Sequence, residues 1–115
     1  MNRMLTESQV YVAVGVTDLR KSINGLGLLV EEQFALNLFD GSLFAFCNRR
    51  RDLVKIVYWD GSGFCLWMKR VEQERFQWPD DGGAVVEMSE QALSWLLSGL
   101  DVRQAHQRLA YTSVS

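Results

Sequence analysis

Between Lys55 and Arg70 the chain reads KIVYWDGSGFCLWMKR, which sets Trp59 and Trp67 among Lys55, Lys69 and Arg70 on either side of the turn Asp60-Gly61-Ser62-Gly63. Aromatic rings flanked by cations are what proteins use to hold single-stranded or splayed nucleic acid. Each stacked base there is worth roughly 1–3 kcal/mol, and the cations meet phosphates. Arg49, Arg50 and Arg51 lie on the connection entering this stretch, and Arg20, Lys21 and Arg75 complete the set of candidate phosphate contacts. A guanidinium suits bidentate phosphate contact better than an ammonium does. The same residues also describe an ordinary hairpin, with its Trp rings under a helix and its charges at strand ends in water.

Strand side chains alternate between faces, so the hairpin register separates these readings. A two-residue loop pairs Trp59 with Phe64 and puts the two Trp rings on different faces. A three-residue loop with a glycine bulge pairs Trp59 with Cys65 and lines one surface with Lys55, Trp59, Trp67 and Lys69. Gly61 and Gly63 permit either.

No catalytic set stands out. His106 is the single histidine and has no metal-ligand spacing around it. Phosphate-binding glycine loops, dinucleotide fingerprints and nucleophile elbows are missing, so neither a cofactor nor a metal is expected. Asp18, Asp40, Asp60 and Asp101 precede turns or helices, where carboxylates satisfy backbone N–H groups. A metal-assisted phosphoryl-transfer site would need several of them to converge.

With 115 residues, 48% of them hydrophobic, the chain supports one domain with a core of its own. The net charge of -2 gives no global pull toward nucleic acid. Its charges are nonetheless uneven: residues 1–79 hold ten cations and nine carboxylates, residues 80–115 two and five. That permits a local basic face. Cys47 and Cys65 form no CxxC pair and read as buried thiols. With no leader-like pattern and no membrane-length apolar run, the expected setting is a reduced cytoplasm.

The elements that must position these residues follow from periodicity. Residues 9–15 read as a strand. Leu19, Ile23, Leu26, Val30 and Phe34 mark one face of a helix, which starts at Thr17 or Asp18, or else at Asn24 after a separate turn. Strands are expected at 43–48, 53–59, 64–71 and 74–78, with a short run at 84–88. A helix capped by Ser89 follows, carrying Leu93, Leu96, Leu97 and Leu100. The fold class is α+β, a mostly antiparallel sheet of about five to six strands with two helices packed on it, on one side. Residues 1–101 form the domain and 102–115 a polar C-terminal tail.

GVTDLRKSINGLGLLV, KIVYWDGSGFCLWMKRVEQERFQWP and SEQALSWLLSGLD together resemble the TnpB (Orf2-like) accessory proteins of the insertion-sequence sixty-six family, over roughly residues 8–101. The resemblance is carried by Lys55, Trp59, Asp60, Gly61, Gly63, Leu66, Lys69, Arg70, Glu72, Phe76, Trp78 and Pro79, and by Asp18, Arg20, Lys21, Gly25 and Leu26. Ser22, Cys47 and Glu74 depart from its usual residues. It implies a non-catalytic role in transposition, beside a separate transposase of the acidic-triad type that cuts and joins strands. Two expectations follow: an accessory factor contacting the element's DNA ends through a basic face, or a protein–protein adaptor docking onto the transposase without touching DNA. A nuclease-like enzyme using Asp18 or Asp60 is a third. Self-association is also open, because sheet edges must be covered or paired.

Overall fold

The computed structural model describes residues 9–98. Five strands form one sheet: β1 (Val10–Ala13), β2 (Leu43–Cys47), β3 (Leu53–Trp59), β4 (Phe64–Arg70) and β5 (Val85–Met88), in the order β4-β3-β2-β1-β5. Only β1 and β2 are parallel, and the connection between them holds the first helix, α1 (Ile23–Leu28). The other neighbours are antiparallel. Helix α2 (Glu90–Leu97) follows β5 directly.

The turn expected before the first helix is present, but the cap is Ser22, not Thr17, Asp18 or Asn24. Asp18 instead turns its carboxylate to the backbone N–H of Arg20. After only six residues α1 passes into a wider π turn, Leu29–Gln33, closed by the Phe34 N–H bonding to the Leu29 carbonyl. Ser89 caps α2 as expected, accepting from the Ala92 N–H at 3.0 Å.

The two helices lie on opposite faces of the sheet, which corrects the expectation of one-sided cover. Val10, Val12, Leu43, Ala45, Cys47, Val54 and Ile56 pack with Ala92, Leu93, Leu96 and Leu97 of α2. Their strand neighbours Ala13, Phe44, Phe46, Leu53 and Val57 pack with Leu26 and Val30 on the α1 side. All five residues of β2 are buried, because a central strand covered on both faces has no solvent side.

A second correction concerns residues 74–78, which form no strand. Their alternation is real: Phe76 and Trp78 are buried while Arg75 and Gln77 are exposed. The segment passes from the β2–β3 loop to the end of β1 and joins no ladder. It is fastened by the Phe76 N–H to the Arg51 carbonyl (2.8 Å), the Trp78 indole N–H to the Ala13 carbonyl (2.8 Å) and the Gly15 N–H to the Pro79 carbonyl (2.9 Å). Its two large rings extend the α2-side core.

In the β3–β4 turn the Asp60 N–H bonds to the Gly63 carbonyl at 3.0 Å, and Gly61 takes φ +100. Only glycine adopts that angle freely. The Asp60 carboxylate accepts from the Ser62 and Gly63 N–H groups, both at 2.9 Å, and from the Ser62 hydroxyl at 3.0 Å. The Ser62 amide and hydroxyl, then the Cys65 thiol and Gly63 amide, lower its pKa to about 2 from the ordinary 3.8. The folded state therefore holds the proton less readily than the unfolded chain. This contribution is complete above pH 3.8 and is lost as the pH falls toward 2. Urea midpoints measured from pH 5 to pH 2 should drop less steeply in Asp60→Ala than in the parent; parallel curves would show that the turn bonds do not act this way.

Candidate nucleic-acid interface

The two-residue turn sets the register Trp59↔Phe64, Val57↔Leu66, Lys55↔Met68 and Leu53↔Arg70. Lys55, Trp59 and Arg70 therefore share the α1 side of the sheet, while Trp67 and Lys69 share the α2 side. The bulged alternative, with both Trp rings on one surface, does not occur.

On the α1 side, the loop after β1 comes against the loop between β2 and β3. The Thr17 N–H bonds to the Cys47 carbonyl at 2.8 Å and joins the two. Between them and the Lys55–Arg70 end of the hairpin is an open groove of about 680 Å³. Arg20, Arg49, Arg50, Lys55 and Arg70 line it, with Asp18 as the carboxylate among them and Leu19, Leu53 and Met68 as its apolar wall. Cations from three separate stretches of chain meet in one concavity.

Each side chain is held differently. Arg20 is clamped by Asp18 through two bonds of 2.9 Å, from Nε and Nη2. That pairing, followed by the Arg20 backbone N–H, lowers the Asp18 pKa to about 2. Lys55 donates from Nζ to the Leu19 carbonyl at 2.7 Å, which ties the 16–20 loop to the sheet. Arg49, Arg50 and Arg70 are exposed, and no ion pair among the described residues engages them.

The loop presenting Arg49 and Arg50 is built by Asn48. Its carboxamide oxygen accepts from the Asp52 and Leu53 N–H groups, both at 3.1 Å, and its Nδ2 donates to Asp52 at 2.7 Å. That last bond is the main reason the Asp52 pKa is lowered, with the Arg70, Arg75 and Arg50 charges adding to it. Asn48 and Met68 were not legible as site residues; the available signal was an Asn and an Asp four apart closing a strand end.

The remaining candidates lie elsewhere. Arg51 sits at φ +61 and points away from the groove, donating to the Trp78 carbonyl (3.3 Å) and pairing with Asp80 (3.7 Å). Lys69 donates to the Leu97 carbonyl at 3.0 Å, at the end of α2 where a cation suits the helix dipole. Trp67 is half-buried against the α2-side core. Trp59 is half-buried at the far end of the hairpin, edge-on to Phe39 (5.2 Å) and Phe64 (4.8 Å). Lys21 and Arg75 are exposed outside the groove, and Arg75 donates to the Glu74 carbonyl. His106 and Asp101 lie outside the described residues.

Cys47 is buried and its thiol is pushed up to about 12 by desolvation. Among the described residues no three Asp, Glu, His or Cys side chains group so as to hold a metal ion. Asp18, Asp40 and Asp60 are each engaged with backbone N–H groups of their own turns. No helix among the described residues is long and apolar enough to cross a membrane.

Residues 8–107 match the family model described as IS66 Orf2 like protein. The chain belongs to that family. Two curated relatives of this IS66 Orf2-like protein come from Sinorhizobium fredii. The uncharacterized protein y4hO is 41% identical over 106 residues, covering 92% of each chain. The uncharacterized protein y4jC is 34% identical over 93 residues, covering 81% of this chain and 80% of its own. No solved structure matches the chain. The IS66 Orf2-like family is associated with insertion sequences, so the protein belongs with transposable elements.

Proposed function

We propose that this protein is a non-catalytic accessory factor of insertion-sequence transposition that holds DNA by its phosphates in the groove described above. It works beside a separate acidic-triad transposase, which does the cutting and joining. The observation that carries the reading is the convergence of Arg20, Arg49, Arg50, Lys55 and Arg70 on one concavity of a protein whose net charge is -2. Scattered surface charge gives no reason for such focusing, and a phosphate backbone does. Arg49, Arg50 and Arg70 make the phosphate contacts, while Arg20 and Lys55 shape the wall. The engagement of Asp18 and Asp60 in structural bonds supports a role without chemistry of its own.

Fluorescence anisotropy of a labelled duplex from an element end, titrated with the protein at several salt concentrations, tests this. Each neutralised phosphate contributes about -0.9 to the slope of log affinity against log salt, so three contacts give a slope near roughly -3. The adaptor reading is supported by the acidic balance of residues 80–115. It expects no binding in that titration, together with salt-insensitive capture of the purified transposase.

A further inference from the structure

The two edges of the sheet are built differently. β5 is four residues long and carries Glu87 on its exposed stretch. β4 is seven residues long, pairs with β3 in unbroken register and contains neither a proline nor a bulge. On the α1 side it shows Phe64, Leu66 and Met68 at 36, 41 and 52% exposure. A long regular edge with neither proline nor bulge, whose two cations, Lys69 and Arg70, stand together at its last positions, is a template for another strand.

The phase of the β3–β4 ladder decides what that edge offers. The Asp60 N–H bonds to the Gly63 carbonyl and the Val71 N–H to the Asp52 carbonyl, so these two pairs belong to the hydrogen-bonded set. Pairing alternates along an antiparallel ladder. Cys65, Trp67 and Lys69 therefore turn their backbone groups toward β3, while Phe64, Leu66, Met68 and Arg70 turn theirs outward.

We propose that β4 pairs with β4 of a second copy, antiparallel about a twofold axis through Trp67, to make one ten-stranded sheet. Phe64 then faces Arg70 of the second copy and Leu66 faces Met68, so all four outward-facing residues on each strand find partners. A shift of the axis to residue 66 or 68 leaves at least one of the four opposite a turn. This register also keeps the cations of the two copies apart. Arg70 falls beside the Phe64 ring and Lys69 beside Cys65, while axes at residues 69 or 70 would place like charges face to face. A twofold interface of this kind uses the same patch on both copies. Its axis is perpendicular to the sheet, so the two grooves open on one side, their Arg70 residues about 20 Å apart along the strands at about 3.4 Å per residue.

Sedimentation velocity over a range of protein concentrations is expected to show a monomer converting to a dimer. Leu66→Lys with Met68→Lys sets lysine against lysine and should leave a folded monomer whose melting transition no longer depends on protein concentration. Independently, Lys69→Cys brings a thiol opposite Cys65 of the second copy. The Cα separation there is about 4.5 Å, within disulfide reach. Mild oxidation should give a covalent dimer, lost when Cys65→Ser is added. Should the double-lysine variant fail to fold, the cross-link alone decides. A protein that stays monomeric, or a dimer that resists the lysines and forms no cross-link, overturns the proposal.

Discussion

Arg49→Ala combined with Arg50→Ala is expected to weaken DNA binding on the order of tenfold and to reduce the salt slope by about 1.8, at about 0.9 per phosphate. The melting temperature should stay within a degree or two, because both side chains are exposed and no ion pair among the described residues engages either. Arg51→Ala, one residue along, should do the reverse. Its guanidinium bonds to the Trp78 carbonyl, and its side chain holds the 74–78 segment against the loop. Losing a charge-assisted bond at a half-exposed site costs about 1 kcal/mol, with the salt slope unchanged. The exposed pair with Asp80 at 3.7 Å adds little. Anisotropy titrations and thermal melts on the same preparations separate the two roles. If Arg51→Ala alone changes the slope, the groove has been drawn in the wrong place.

The largest stability effect is expected at Trp78. Its side chain is 3% exposed, fills the α2-side core and donates its indole N–H to the Ala13 carbonyl. Trp→Ala at such a site costs about 3–5 kcal/mol, and here it also strips a β1 carbonyl of its partner. Domains of this size have about 5–15 kcal/mol of stability in all. Trp78→Ala should therefore populate unfolded chain at ordinary temperature, seen as a urea midpoint shifted far toward zero denaturant. Trp78→Phe keeps most of the volume without the donor and should recover the larger part of the loss. Equal loss in both variants would make the hydrogen bond, and not the packing, the dominant interaction.

The hairpin strands were legible because LVKIVYW and FCLWMKR are bounded by a polar loop and a glycine turn, and β3 spans the residues expected of it. Its register was not, because Gly61 and Gly63 accept two loop geometries and only the Asp60–Gly63 bond selects one. Two-sided cover has a signal of its own in the sequence. LFAFC is apolar at every position, and a strand with a wet face alternates. Residues 74–78 show the converse limit, since alternation reports which side chains are buried and not whether the backbone joins a ladder. Of the site, the cations were visible as types. Which of them share a groove depends on the Thr17–Cys47 and Lys55–Leu19 bonds, which join positions far apart in the chain.

The placement of β1 bears on how the molecule is made. Val10–Ala13 leave the ribosome ahead of both their neighbours, residues 43–47 and 85–88. At about 5–20 residues per second, the second neighbour arrives on the order of 4–15 s after the first residue of β1. The β3–β4 hairpin needs no such delay, since its strands are separated only by a turn. A nascent chain arrested before Val85 therefore carries a finished basic hairpin beside an N-terminal strand with one side still open, and without the helix that seals the other face. Such a fragment is the form most exposed to chaperones and proteases.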